Sequence, residues 1–176
     1  MNNNNPINVR IIPSLFTLSN LLFGFISLLL TMDGKFKLAA GLIILSALMD
    51  SMDGKVARKL SVSSDFGKEL DSLSDLVSFG VAPAILTYQS MLQAQLGYWG
   101  IILASIFALC GAIRLARFNV LNINTYFVGV PITFAGGFMA LIQLFQHIIP
   151  WPVYAVCMII LAFLMVSTFK VPKLSK

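Results

Sequence analysis

Charge is what this chain has least of: 11% of its 176 residues are Asp, Glu, Lys or Arg, 58% are hydrophobic, and the mean hydropathy is +0.88. Soluble domains are about a quarter charged, so the composition excludes an ordinary water-soluble fold and points to a membrane protein. Cysteine is equally scarce. Cys110 and Cys157 both lie in apolar runs, where small apolar packing is expected; a disulfide framework would need more cysteines in an exposed, oxidising setting. One histidine and two scattered cysteines make no ligand set for zinc. Residues 1–12 read as a polar tail and juxtamembrane segment, and the apolar run behind them lacks a small-residue cleavage site, so it is expected to stay as a span. The formal charge of +5 forms no single basic face. Its cations flank apolar runs, which suits anionic lipid headgroups and speaks against nucleic acid.

What the chain has in abundance is apolar sequence of spanning length, about 20 residues per crossing. Six such segments run over residues 14–31, 36–59, 66–88, 96–117, 128–147 and 153–169, joined by short Gly-, Pro- or polar-bearing connections. The expected fold is an all-α membrane protein, a six-transmembrane-helix bundle forming a single domain over residues 1–176. With six crossings, ten of the twelve Lys and Arg residues fall on one side, leaving only Lys35 and Lys37 on the other. The positive-inside rule then places both termini and the loop 60–65 in the cytoplasm. Trp99, Trp151 and Tyr154 fall near span ends on the far side and read as aromatic-belt residues.

Set into this oily sequence are four aspartates, Asp50, Asp53, Asp71 and Asp75. A carboxylate at membrane depth is costly enough to mark a functional site. Residues three or four apart share a helix face, so Asp50 and Asp53 project together from the end of the second helix, and Asp71 and Asp75 from the start of the third. The short loop between them makes these helices antiparallel neighbours whose acid faces meet near the cytoplasmic surface. Four carboxylates so close need a cation, and oxygen-only ligands select a hard divalent ion such as Mg²⁺ or Mn²⁺, usually held together with substrate phosphates. Gly54 clears space for a phosphate beside Asp53, despite a cost of about 1 kcal/mol for glycine inside a helix. Ala57 lies one turn on, Arg58 supplies a planar cation suited to phosphate, and Gly67 lets the third helix come close to the second. Asp65 reads equally well as a helix cap, Glu69 as a supporting or surface acid, and Lys55, Lys59 and Lys68 as interfacial snorkelling residues.

The pattern Asp50-x-x-Asp53-Gly54-x-x-Ala57-Arg58, eight residues, Gly67-x-x-x-Asp71-x-x-x-Asp75 resembles the signature of the CDP-alcohol phosphatidyltransferases at every defining position. The resemblance implies a six-helix membrane enzyme that transfers a phosphatidyl group from CDP-diacylglycerol to an alcohol and releases CMP. It implies that Asp50, Asp53, Asp71 and Asp75 hold divalent metal, Mg²⁺ or Mn²⁺ and two ions in number, with Asp75 also the general base. Gly54, Ala57, Arg58 and Gly67 would line the CDP and phosphate end. It further implies a homodimer in the cell membrane with its active site facing the cytoplasm.

More diffuse matches are similar to the branch of that family that accepts L-serine: Pro13-x-x-x-Thr17-x-x-Asn20-x-x-x-Gly24, the run 64–83, Arg114-Leu-Ala-Arg117-Phe-Asn119, and Phe127-x-Gly129-x-Pro131. Thr17 and Asn20 then become candidates for contact with cytidine or for helix packing. Arg114, Arg117 and Asn119 become candidates for serine, for a lipid phosphate, or simply for the positive-inside bias. Other branches, forming phosphatidylglycerophosphate, phosphoinositide or archaetidylserine, share the main signature. A divalent-cation transporter is the reading from a different class; it would want acids at mid-membrane and access from both sides, whereas these acids gather toward one face.

Overall fold

The computed structural model describes residues 6–60, 65–121, 126–167 and 170–172. It is all-helical apart from one small ribbon. Helix α1, Pro6–Met32, begins upstream of the predicted span, so most of the expected tail is helical, opened by a proline in the position helices tolerate best. It stops at Gly34, whose φ of 73° closes the last turn while Lys35 N–H reaches back to the Leu30 carbonyl at 2.8 Å. Glycine is suited there because a left-handed residue ends a helix at low cost. Helix α2, Phe36–Leu60, returns antiparallel along α1. Ser27 Oγ donates to the Ala39 carbonyl and Ser46 Oγ to that of Asn20, at 2.9 and 3.2 Å, two contacts seven residues apart on each helix.

The third helical stretch is longer than its sequence suggests, running through Leu96 instead of ending near Tyr88. It comprises α3, Asp65–Asp75, a π-helical segment Leu76–Val81, α4, Ala82–Thr87, a second π-helical segment Tyr88–Leu92, and α5, Gln93–Leu96. Pro83 explains the first π segment. It has no N–H for the Phe79 carbonyl, and Ala82 N–H instead takes the Val77 carbonyl five residues back. This stretch is the axis of the bundle: 56% of its apolar window is buried, against 28% for α1 and for α6.

Helix α6, Tyr98–Leu121, is followed by strand β1, Tyr126–Val128, helix α7, Ile132–Gln143, helix α8, Trp151–Val166, and strand β2, Lys170–Pro172. The strands pair antiparallel with Phe127 opposite Val171. Gly129, at φ 71°, passes so close to the end of α8 that a Cβ there would stand 2.8 Å from the Leu164 and Met165 carbonyls. Helix α7 is shorter than the expected fifth span, because Pro131 starts it late and its far end tightens into i to i+3 turns through Ile148.

The core is built from Ile43, Phe79, Leu86, Phe107, Met139 and Met158. Outer faces are apolar too: Leu15, Leu18, Leu22, Phe25 and Leu29 all point out of α1. The inward face of that helix carries Thr17, Asn20, Ser27 and Thr31. A helix greasy outside and polar inside is built for lipid, with small and hydroxyl residues at helix contacts. Among the described residues, three helical stretches, Ser14–Met32, Asp65–Leu96 and Tyr98–Val120, are long and apolar enough to cross a membrane. Trp99 is exposed as a belt residue should be. Tyr154 is not: it is fully buried and its hydroxyl donates to the Ile142 carbonyl at 2.9 Å, tying α8 to the end of α7. Both cysteines are free and half-buried.

Candidate active site

The last described side chains of α2 and those of α3 meet as the acid spacing anticipates. One carboxylate oxygen from each of Asp50, Asp71 and Asp75 lies within 4.8 Å of the other two. Asp75 is buried, and Asp50 and Asp71 are half-buried. Asp53, Gly54, Ala57 and Arg58 belong to the closing turns of α2, and their side chains lie outside the described residues. Gly67 occupies the first turns of α3, half-buried.

Each of two acids is held from another helix. Thr133 Oγ1, in the first turn of α7, donates to Asp50 Oδ2 at 3.3 Å. Asn20 Nδ2 on α1 donates to Asp75 Oδ1 at 3.2 Å. Thr17, three residues before Asn20 on the same inward face, is also buried. Thr133 is not among the residues the sequence singles out, although it stands two residues after Pro131, the end of the Phe127-x-Gly129-x-Pro131 pattern. Ser46 is not singled out by the sequence, and Ser78 enters it only as part of the run 64–83, since a serine in an apolar helix looks like a neutral packing residue.

The three candidates on α6 separate. Arg117 Nη1 donates to the Val166 carbonyl at 2.8 Å and so fastens α6 to the end of α8. Asn119 faces α3, where its Nδ2 donates to Ser72 Oγ at 3.0 Å and to Glu69 Oε2 at 3.4 Å. Arg114 lies within electrostatic reach of Asp75, and among the described residues its buried Nε–H has no hydrogen-bond partner. Asp65 is exposed and pairs with Lys68 at 3.5 Å, away from the cluster.

This donor set fits a divalent cation. It is all oxygen, the chemistry that hard ions select. Oxygens on opposite sides of a Mg²⁺ ion stand about 4.2 Å apart, so the cluster needs only small side-chain movements to close on one. The carboxyl groups of Asp50 and Asp75 also adjoin one another, an arrangement that two ionised carboxylates do not keep without a counter-charge.

Comparison with known proteins agrees with this geometry. Residues 10–170 match the CDP-alcohol phosphatidyltransferase family. The chain is 43% identical over 157 residues to the CDP-diacylglycerol–serine O-phosphatidyltransferase of Methanocaldococcus jannaschii, an alignment covering 89% of this chain and 71% of that one. To the enzyme of the same name from Bacillus subtilis it is 36% identical over 166 residues, covering 94% and 92% of the two chains. It is 44% identical over 127 residues to the archaetidylserine synthase of Methanothermobacter thermautotrophicus, covering 70% of this chain and 54% of that one.

Proposed function

The chain belongs to the CDP-alcohol phosphatidyltransferase family, and we propose that it transfers the phosphatidyl group of CDP-diacylglycerol to the hydroxyl of L-serine, giving phosphatidylserine and CMP. The observation that carries this reading is the meeting of Asp50, Asp71 and Asp75; the activities for which two similar proteins are named point to serine.

In this reading the serine hydroxyl oxygen attacks the phosphorus that bears the diacylglycerol. A new P–O ester bond forms, the P–O bond to the CMP phosphate breaks, and the hydroxyl proton passes to Asp75. Asp50, Asp53, Asp71 and Asp75 are the residues that would hold divalent metal, Mg²⁺ or Mn²⁺. Bound there, the metal offsets charge on the diphosphate and stabilises the entering and leaving oxygens. Gly54, Ala57, Arg58, Gly67 and Thr17 form the CDP end. Arg114 is the receptor for the serine carboxylate, because its Nε–H is buried with no hydrogen-bond partner among the described residues and lies within electrostatic reach of Asp75. Arg117 and Asn119 act behind it, holding α6 against α8 and α3.

The reading includes six crossings in a single domain, with both termini and the acids on the cytoplasmic side of the cell membrane, and the homodimer that the resemblance implies. Cysteine-accessibility labelling from each side tests the topology, and cross-linking in the membrane tests the dimer.

A second reading keeps the chemistry and changes the donor to an ether-linked CDP-archaeol, as the similarity to an archaetidylserine synthase suggests. CMP release by the purified protein decides. CDP-diacylglycerol and its ether-linked counterpart are each offered with L-serine, glycerol 3-phosphate or inositol phosphate, with Mg²⁺ or Mn²⁺. Release with serine alone is the expected result. Release with another acceptor removes serine, and release from the ether-linked donor only selects the second reading.

A further inference from the structure

Asn20 is fully buried on α1, and both α2 and the third helical stretch converge on it. Its backbone carbonyl accepts from Ser46 Oγ of α2 at 3.2 Å and from Ser78 Oγ of the π-helical segment at 3.0 Å. Its side-chain Nδ2 donates to Asp75 Oδ1 at 3.2 Å. Gly24, one turn along α1, makes the approach possible, because a Cβ there would collide with Ser78. The π segment starts at the residue after Asp75, so the local change in helical register that accommodates Pro83 also turns Ser78 toward α1. The backbone from which the amide springs is thus pinned on two sides. Only two side-chain torsions separate it from the carboxylate it holds.

We propose that Asn20 is a positioning residue for Asp75: its amide N–H holds Oδ1, and so presents Oδ2 to the acceptor hydroxyl. The inference rests on the reading above, in which Asp75 takes that proton. The side chain suits the task by length and by charge. Serine at this position would be too short to reach, glutamine carries a surplus methylene in a fully buried site, and aspartate would set a second carboxylate against Asp75. A role in gripping the nucleotide, which the sequence pattern equally allowed, makes a different prediction. Loss of a nucleotide contact weakens CDP-diacylglycerol binding, whereas loss of a positioning contact slows transfer from a donor that still binds.

The test is steady-state CMP release by Asn20→Ala, Asn20→Asp and Ser78→Ala, each purified as the full chain and checked by gel filtration and thermal unfolding. Partners that orient a metal-site group typically contribute about 10- to 100-fold to activity. Asn20→Ala is therefore expected to lose kcat in that range, with KM for CDP-diacylglycerol within about twofold of the wild type. Asn20→Asp, equal in size, is expected to lose more than Asn20→Ala. Ser78→Ala, which removes only the pin on the Asn20 carbonyl, is expected to lose kcat several-fold with KM unmoved; with Asn20→Asp it carries the test should Asn20→Ala fail to fold. Wild-type kcat in Asn20→Asp overturns the proposal. A rise in KM at unchanged kcat also overturns it and returns Asn20 to the nucleotide. Wild-type turnover with serine reports separately on the reading of function, and the ratio of variant to wild type is taken with whichever acceptor turns over. A wild type inert with every acceptor removes that reading and this inference together.

Discussion

The two halves of the bundle are held together by different means. Around α1, α2 and the long third stretch, hydroxyls donate across helices to main-chain carbonyls deep inside: Ser27 to Ala39, and Ser46 and Ser78 to Asn20. Among the described residues, α6, α7 and α8 are joined to one another by two side-chain hydrogen bonds, Arg117 to Val166 and Tyr154 to Ile142, both at helix ends. Beyond the β1–β2 ribbon and the Val130 N–H donated to the Leu164 carbonyl, the contacts among these helices are apolar packing. Apolar contacts tolerate small slips in register, while a hydrogen bond weakens steeply with distance and angle. The first half carries Asp50, Asp71 and Asp75 and has its register fixed by polar contacts. The second half sends in Thr133, Arg114 and Asn119, and its own polar ties lie at helix ends and in the short ribbon.

The comparison is broken most severely at the acids themselves. Asp75→Asn keeps shape and burial but removes the proton acceptor, so turnover should fall by about 10²- to 10⁴-fold, the usual contribution of a general base. CMP release and thermal unfolding measured together check it. Near-normal activity in a folded Asp75→Asn protein would remove Asp75 as base.

Next comes the junction between halves, where adjacent glycines of α7 provide an internal control. A Cβ at Gly136 would run into the backbone of Phe79 in the first π segment, whereas one at Gly137 meets nothing within 4 Å. Gly136→Ala should therefore cost about 1–3 kcal/mol through overpacking. Gly137→Ala should be neutral or add up to about 1 kcal/mol from helix propensity. Equal unfolding temperatures for the two variants would show that α7 slides without cost, and the contrast between halves would then extend even to this contact.

Much of this was legible in the residues. Composition dictated a membrane bundle, and the three- and four-residue spacing of the aspartates dictated which faces meet. Tyr154 and the third stretch were misread for one reason. A span-end tyrosine and an apolar helix look alike whether they face lipid or protein, because hydropathy does not register the neighbours. The π segments were invisible as well, since Pro83 announces a break in the ladder without saying which side of the helix will absorb it. Ser46, Ser78 and Thr133 were missed because a single hydroxyl in an apolar run carries no period; its meaning comes only from the carbonyl or carboxylate opposite.

The two arginines of α6 sharpen the comparison further, since the sequence offers both of them the same three roles and does not separate them. Arg114→Gln should raise KM for serine at least tenfold with little change in unfolding temperature, because among the described residues the Arg114 Nε–H has no hydrogen-bond partner to lose. Arg117→Gln should do the reverse, lowering stability by about 1–3 kcal/mol, the range for a hydrogen bond from a charged donor, while leaving KM for serine near the wild type. A rise in KM for serine in both variants would mean that the tie to Val166 also orients the acceptor site.

The smallest effect is expected at Thr133, which donates to Asp50 from the looser half across 3.3 Å. That bond is long for a hydroxyl and a carboxylate, whose best contacts fall at about 2.5–2.7 Å, so its loss should be felt weakly. Thr133→Val preserves the side-chain shape and removes the donor. It should raise the Mg²⁺ or Mn²⁺ concentration for half-maximal activity a few-fold and leave saturating kcat nearly intact. Thr133→Ser, which keeps the hydroxyl, should restore most of the metal affinity. If Thr133→Val instead matches the loss seen on removing Asn20, the second half positions its acid as tightly as the first. Rigidity would then be set at each carboxylate by its own partner, and not by the half of the bundle that carries it.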